Sequence, residues 1–194
     1  LLVKHFGDRA GLVLDLASYM VVEGRNQGQY YPDYAYRHPL FSPGMRIYSD
    51  STVSKFLSSV KDEQIAGFLN DWNTDRDHKS RIYVSYDSTN KNCQAGDVDF
   101  VEFGKAKVDL GLPIFNVGLA MDQNNRIPLF YELYPGSIND VSQFKFMVDK
   151  AVGYGYKNIG FIIDRGYFCK ANIRYMDEKN YGFVTVSYTH LRAH

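Results

Sequence analysis

The sequence is short of most features that mark a function by composition. Only two cysteines occur, Cys93 and Cys169, with no C-x-x-C pair. That excludes a disulfide scaffold and a cysteine zinc site, and makes a reducing, cytoplasmic compartment the default. The five histidines show neither H-x-x-H nor H-E-x-x-H spacing, so zinc chemistry has no support. Lys+Arg and Asp+Glu both number 22, and a formal charge of zero lacks the global basic signature by which charge alone announces nucleic-acid binding. No apolar run approaches the roughly 20 residues of a membrane span, and Leu1 to Val3 lack the charge and length of a signal peptide. The expectation is a soluble chain with no membrane partner. It opens on Leu rather than Met, from which a missing start is expected.

What is present is length enough, at 194 residues, for one domain with a sizeable core, or for such a domain behind a short helical leader. Residues 1–80 read as that leader. "RAGLVLDLASYMVVEG" places Leu12, Leu16, Tyr19 and Met20 at helical spacing and ends near Gly24. "GQYYPDYAYRHPLFSPG" is rich in Tyr, Pro and Gly without a clean period, and reads as an ordered connector tethered by its aromatics. "YSDSTVSKFLSSV" offers Ser49 or Asp50 as an N-cap, then Val53, Phe56 and Leu57, and "KDEQIAGFLNDW" follows as a second short helix. The pair fits a DNA-binding helix-turn-helix, and equally a leader packed on the next domain.

From Arg81 the pattern changes to strands. "RIYVSYDST" alternates Ile82, Val84 and Tyr86 against Tyr83, Ser85 and Asp87, with Asp87 at its far end. "PIFNVGLAMDQNNRIPLFYELYPG" predicts a hairpin turning at Asp122 to Asn125, with Pro128 on an edge strand. "NDVSQFKFMVDKAVGYG" predicts an amphipathic helix capped by Asn139 or Asp140. A buried strand over Ile159 to Ile163, a helix over about Lys170 to Glu178, and a strand in "YGFVTV" complete the order.

Three antiparallel strands, helix, strand, helix, strand describe an α/β fold with a mixed sheet. A right-handed crossover sets the fourth strand parallel to one of the first three, on the opposite side from the hairpin. If the first strand is its neighbour, Asp87 and Asp164 stand at one carboxyl edge, roughly 5 Å apart. Two carboxylates that close repel unless a cation lies between them, and hard ions such as Mg²⁺ or Mn²⁺ prefer oxygen ligands. The other reading of the pair is two strand-end turn residues.

"YDSTN", "LPIFNVGLAMDQNNRIPLFYELYPGSINDVSQF" and "FIIDRGYFCKANIRYM" resemble, in order and spacing, the catalytic domain of DDE transposases of bacterial insertion sequences. The insertion-sequence-four type, with its D-R-G-[YF] second motif, is the most similar group. The resemblance spans about Arg81 to Val186. It implies a ribonuclease-H-like fold over 81–186, and DNA cleavage and strand transfer with two Mg²⁺ or Mn²⁺ ions. It also implies a bacterial, nucleoid-associated location, DNA as partner and a homodimer in the intact protein. Asp87 and Asp164 match the first two carboxylates of the triad, as catalytic residues and metal ligands. Arg165 matches the family's Arg after the second Asp, whose fork is expected to contact phosphate or orient a ligand, and Lys105 and Lys107 match a basic stretch near DNA. Gly166 is expected to turn the chain tightly away from the strand, Tyr167 to pack, and Asn139 and Asp140 to cap.

The acidic trio Asp97, Asp99 and Glu102 reads as a solvated face. The family's third carboxylate, a Glu on a later helix, has no counterpart here, and Glu178 lies on the wrong helix to replace it. The expectation is a truncated chain, inactive alone, whose 187–194 segment "SYTHLRAH" is a non-native tail. Another ribonuclease-H-like nuclease and a non-catalytic DNA-binding or regulatory module are the alternatives.

Overall fold

The computed structural model describes residues 1–96 and 98–185. Asp97, Val186 and the 187–194 tail lie outside the described residues. Two compact units divide the chain, Leu1–Trp72 and Asn73–His194.

The first unit holds α1 (Leu2–Phe6), α2 (Ala10–Glu23), α3 (Tyr31–Arg37), α4 (Asp50–Ser59) and most of α5 (Asp62–Thr74). Helix α2 buries Leu12, Asp15 and Tyr19 and stops at Gly24, whose left-handed φ of 63° suits a residue without Cβ. Met20, expected on the buried stripe, is 51% exposed, because it sits about 80° round the helix from Leu12. Asp15 is buried and accepts from the Phe41 and Ser42 amides at 2.6 and 3.1 Å and from the Ser42 hydroxyl at 2.6 Å. A buried carboxylate thus folds the connector back onto α2.

That connector is more regular than its composition predicts. It contains α3, which begins with Pro32 in its first turn, where a missing N–H costs nothing. Tyr31, Tyr34 and Ala35, at i, i+3 and i+4, enter this unit's core with Leu12, Tyr19, Tyr48 and Val53. Ser49 caps α4, accepting from the Thr52 amide, and Leu57 stays exposed.

The second unit is built on β1 (Ile82–Asn92), β2 (Ile114–Asp122), β3 (Ile127–Pro135), α6 (Asp140–Gly153), β4 (Ile159–Ile163), α7 (Lys170–Glu178) and β5 (Gly182–Thr185). The sheet order is β3-β2-β1-β4-β5. Strands β1 to β3 form an antiparallel meander, while β4 runs parallel to β1 and β5 parallel to β4. This is a ribonuclease-H-like strand order. Pro128 lies on edge strand β3, at a register shift opposite Ala120 and Met121. Asp122 closes the hairpin by accepting from the amides of Asn124 and Asn125.

Side chains alternate along the strands, and one set packs with α6 and α7. Val84, Tyr86, Ala120, Phe130, Phe144, Met147, Phe161 and Met176 belong to that core. Tyr86 crosses β2 at Gly118, where a Cβ would lie 2.0 Å from its hydroxyl. Beyond the glycine, the hydroxyl donates to Glu132 Oε2 of β3 at 3.2 Å. Gln143 of α6 donates to the same oxygen at 2.9 Å, and the Lys150 ammonium lies 3.9 Å from Oε1. The end of α5 is tied in by Asn73, which donates to the Leu129 carbonyl and accepts from the Tyr156 hydroxyl.

Burial pushes the phenols of Tyr31, Tyr86, Tyr134, Tyr156 and Tyr167 above the ordinary tyrosine range, Tyr156 to about 12. Above about pH 10 the unfolded chain releases these protons and the folded chain keeps them. Stability is therefore full below that pH and falls above it, by about 1.4 kcal/mol per pH unit for each such phenol. Tyrosinate absorbance and loss of circular dichroism are expected to rise together near pH 11; tyrosinate forming fully in a still-folded chain would contradict the burial. Gly118→Ala is expected to cost about 2–3 kcal/mol in urea unfolding. An unchanged midpoint would place the Tyr86 ring elsewhere.

Candidate active site

Every pair in the β1–β4 ladder is separated by 77 residues, from Ile82–Ile159 to Tyr86–Ile163. One further step in that register sets Asp87 opposite Asp164, on neighbouring strands about 4.8 Å apart. Both follow the alternation of Ser85 and Ile162, so both leave the sheet on the face opposite Tyr86 and Ile163. Both are exposed. Asp87 Oδ1 accepts from the Ser88 amide at 2.8 Å, and Asp164 Oδ1 from the Arg165 amide at 2.6 Å. Each carboxylate is thus oriented by backbone through one oxygen.

Asp87 is not at the end of its strand, as the sequence pattern predicts. Strand β1 runs five residues further, to Asn92, because β2 continues to pair with it as far as Ile114. Asp87 marks instead the point where β4 leaves β1. Beyond it, Asn90 and Asn92 act as side-chain mimics of a strand. Asn90 donates to the Lys105 carbonyl and accepts from the Lys107 amide, both at 3.0 Å. Asn92 donates to the Asp109 carbonyl at 2.8 Å and accepts from its amide at 3.1 Å. The basic loop is thereby laid along β1. Lys107 Nζ then reaches the Ser88 carbonyl at 3.0 Å, one residue from Asp87. Both asparagines continue the period of two set by Tyr86 and Ser88, but as polar residues they carry no hydrophobic signal.

A cleft of about 470 Å³ opens between Ser88–Asn90, Lys105–Lys107, Asn139–Val141 and Gly166. The N-terminus of α6 forms one wall. Asn139 caps it, its side chain accepting from the Ser142 amide at 3.0 Å. Asp140, expected to share that role, instead accepts from the Tyr134 hydroxyl at 2.7 Å. Arg165 to Tyr167 form a single 3-10 turn begun by Asp164, which leaves the Arg165 side chain exposed. Gly166 is not needed for that turn's backbone, having no positive φ; a Cβ there would stand 3.9 Å from Asp140 Oδ2, in ordinary contact. Tyr167 is buried, its ring beside Tyr86 and Phe144.

Glu102 and Glu178 are engaged elsewhere. Glu102 bridges Ile114 through its backbone and accepts from the Ser137 hydroxyl. Glu178 closes α7, which runs back from the Asp164 edge to the opposite one. Among the described residues no group of three His, Cys, Asp or Glu gathers in a metal-binding arrangement. Two exposed carboxylates with oxygens to spare still fit a hard divalent ion, since Mg²⁺ keeps several waters and takes only one or two carboxylates from protein, substrate phosphate supplying the rest.

No protein-family profile matches the chain, and no curated protein matches it. Among solved structures, the Mos1 transposase paired-end complex with left transposon end is 13% identical, at a TM-score of 0.35. A pre-cleavage Mos1 transpososome is 10% identical at 0.33, and a mariner Mos1 paired end complex with Mg 13% identical at 0.32. Each alignment covers 92% of this chain and 58% of the other. At TM-scores this low the likeness adds nothing to the strand order, on which the fold assignment rests. Among the described residues no helix is long and apolar enough to cross a membrane.

Asn90→Ala removes two of the bonds that hold Lys105 to Lys107 against β1, leaving that from Lys107 Nζ to the Ser88 carbonyl. Amide exchange at Lys107 is expected to quicken about tenfold, the equivalent of one net hydrogen bond. Unchanged exchange would mean that the loop is held by other contacts.

Proposed function

We propose that the Asn73–His194 unit carries part of the catalytic domain of a DDE transposase of the insertion-sequence-four type, acting in DNA cleavage and strand transfer. The observation that supports this best is the β1–β4 register, which sets two aspartates far apart in sequence side by side on one face of the sheet. The three sequence blocks that resemble the family meet in the same place.

In this reading Asp87 and Asp164 hold Mg²⁺ or Mn²⁺, which when bound supplies Lewis-acid activation at a phosphodiester. Their backbone hydrogen bonds fix one oxygen of each and point the carboxylates out of the same sheet face. Lys105 and Lys107 neutralise phosphates of a bound DNA strand. Arg165, next to Asp164 and exposed, offers a planar fork to a phosphate at the scissile position. The helices α4 and α5 of the leader are a further place for DNA contact, and a homodimer is the proposed assembly. In this reading the chain binds metal through the aspartate pair and DNA beside it.

The test is calorimetric titration of Mn²⁺ into the chain with a short DNA duplex present. Asp87→Asn and Asp164→Asn are each expected to weaken binding about tenfold or more, since each removes an anionic oxygen donor. If both variants bind Mn²⁺ as the parent does, the pair is structural and this reading falls.

A further inference from the structure

The edge of the sheet opposite Asp87 and Asp164 has a cleft of its own. About 510 Å³ in volume, it is lined by Arg81, Lys157, Asn158, Lys179, Asn180 and Tyr181, with Ile159 and Gly182. Three cations meet there, and no carboxylate lines the space. Among the described residues, none of the three forms an ion pair. In a chain of zero formal charge, that is a local excess. Asp177 and Glu178 precede Lys179 on α7 without entering the cleft. Lys179 is also the C-cap of α7, where a cation offsets the helix dipole. No such role accounts for Arg81, which enters β1, or for Lys157, which lies beyond α6.

Arg81 is held in place by the sheet. Its guanidinium lies 5.4 Å from the centre of the Tyr83 ring. Gly160 and Gly182 are register partners on β4 and β5. A Cβ on Gly160 would sit 2.7 Å from the Tyr83 ring, and one on Gly182 2.5 Å from Arg81 Nη2. The two glycines therefore clear a track for ring and guanidinium to lie flat across the strands. An arginine fixed in this way loses little conformational freedom on meeting a ligand.

We propose that this cleft is a phosphate-backbone contact for duplex DNA, distinct from the Asp87–Asp164 edge and about 17 Å from it along the strands, at roughly 3.3 Å per residue. Pockets for small molecules of this size are mostly apolar. This one is polar almost throughout and open, which suits a polyanion held by charge. The inference rests on the DNA-handling reading above only for the identity of that polyanion.

The experiment uses the whole chain in EDTA, so that metal binding at Asp87 and Asp164 plays no part. Binding of a labelled duplex of arbitrary sequence is followed by fluorescence anisotropy over a range of salt. Replacing Arg81, Lys157 and Lys179 together by Gln is expected to flatten the slope of log K against log salt by about 2–3, at about 0.9 for each phosphate no longer neutralised. On the unsubstituted chain, duplex is expected to protect Lys157 and Lys179 from acetylation, read by mass spectrometry. This second readout holds even if the triple variant folds poorly. No protection, or an unchanged slope in a folded variant, overturns the proposal. So does equal protection by inorganic phosphate alone, which would make the cleft a small-anion site. Loss of Mn²⁺ binding in the aspartate variants leaves all of these outcomes untouched.

Discussion

The parallel ladder between β1 and β4 is the constraint on which the second unit depends. It is only five pairs long, yet it joins strands that hairpin, edge strand and crossover helix separate in sequence. Such a closure costs chain entropy before any contact offsets it, so the pairing must be secured by the core packed on it and by both neighbouring strands. Phe161 and Ile163 bury against the same core as Val84 and Tyr86. Slipping the register by one residue would turn every one of these side chains to the wrong face. Asp87 and Asp164 inherit their proximity from that requirement. The core determines where the carboxylates stand.

Tyr86 links this ladder to the far edge of the sheet. Its ring spans β2 because residue 118 is glycine, and its hydroxyl ends on a carboxylate that Gln143 also binds. Glu132 is 8% exposed, and a buried carboxylate is tolerated when several donors surround it. The same carboxylate thus connects β1, β3 and α6. Since α6 carries Asn139 and Asp140 into the cleft, one buried network positions both the strand that holds Asp87 and the helix end across from it.

Much of this was legible in the sequence, for reasons particular to each element. Strand β4 was readable as an apolar run and α7 as an amphipathic stretch, and both spans match, though β4 is not buried throughout, since Ile162 is 36% exposed on the open face of the sheet. The hairpin was readable from its turn residues. The end of β1 was not, because beyond Asp87 the positions in phase with Tyr86 are filled by buried Ser88 and half-buried Asn90 and Asn92, polar residues that a hydrophobic pattern does not register. Helix α3 was hidden by a proline in its first turn. The Tyr86–Glu132 bond spans 46 positions, and no local period reports a contact of that kind. For the site, the pairing of Asp87 with Asp164 was open to inference from topology, whereas the clamp that brings Lys107 to Ser88 was not.

Because β1 continues past Asp87, the carboxylate pair is not at an exposed rim. It lies on a step, where β4 ends and β1 and β2 carry on with the basic loop fastened to them. The pair leaves the sheet on one face, with Ser85 and Ile162, while Ser88, Asn90 and the N-terminus of α6 shape the cleft on the other. Lys107, bonded to the Ser88 carbonyl, is brought within one residue of Asp87. At the other end of the same strands, Arg81, just ahead of β1, meets Lys157 and Lys179 in a cleft that no carboxylate lines. The central strand thus keeps two kinds of charge apart, the aspartates where β4 leaves it and the three cations where it begins.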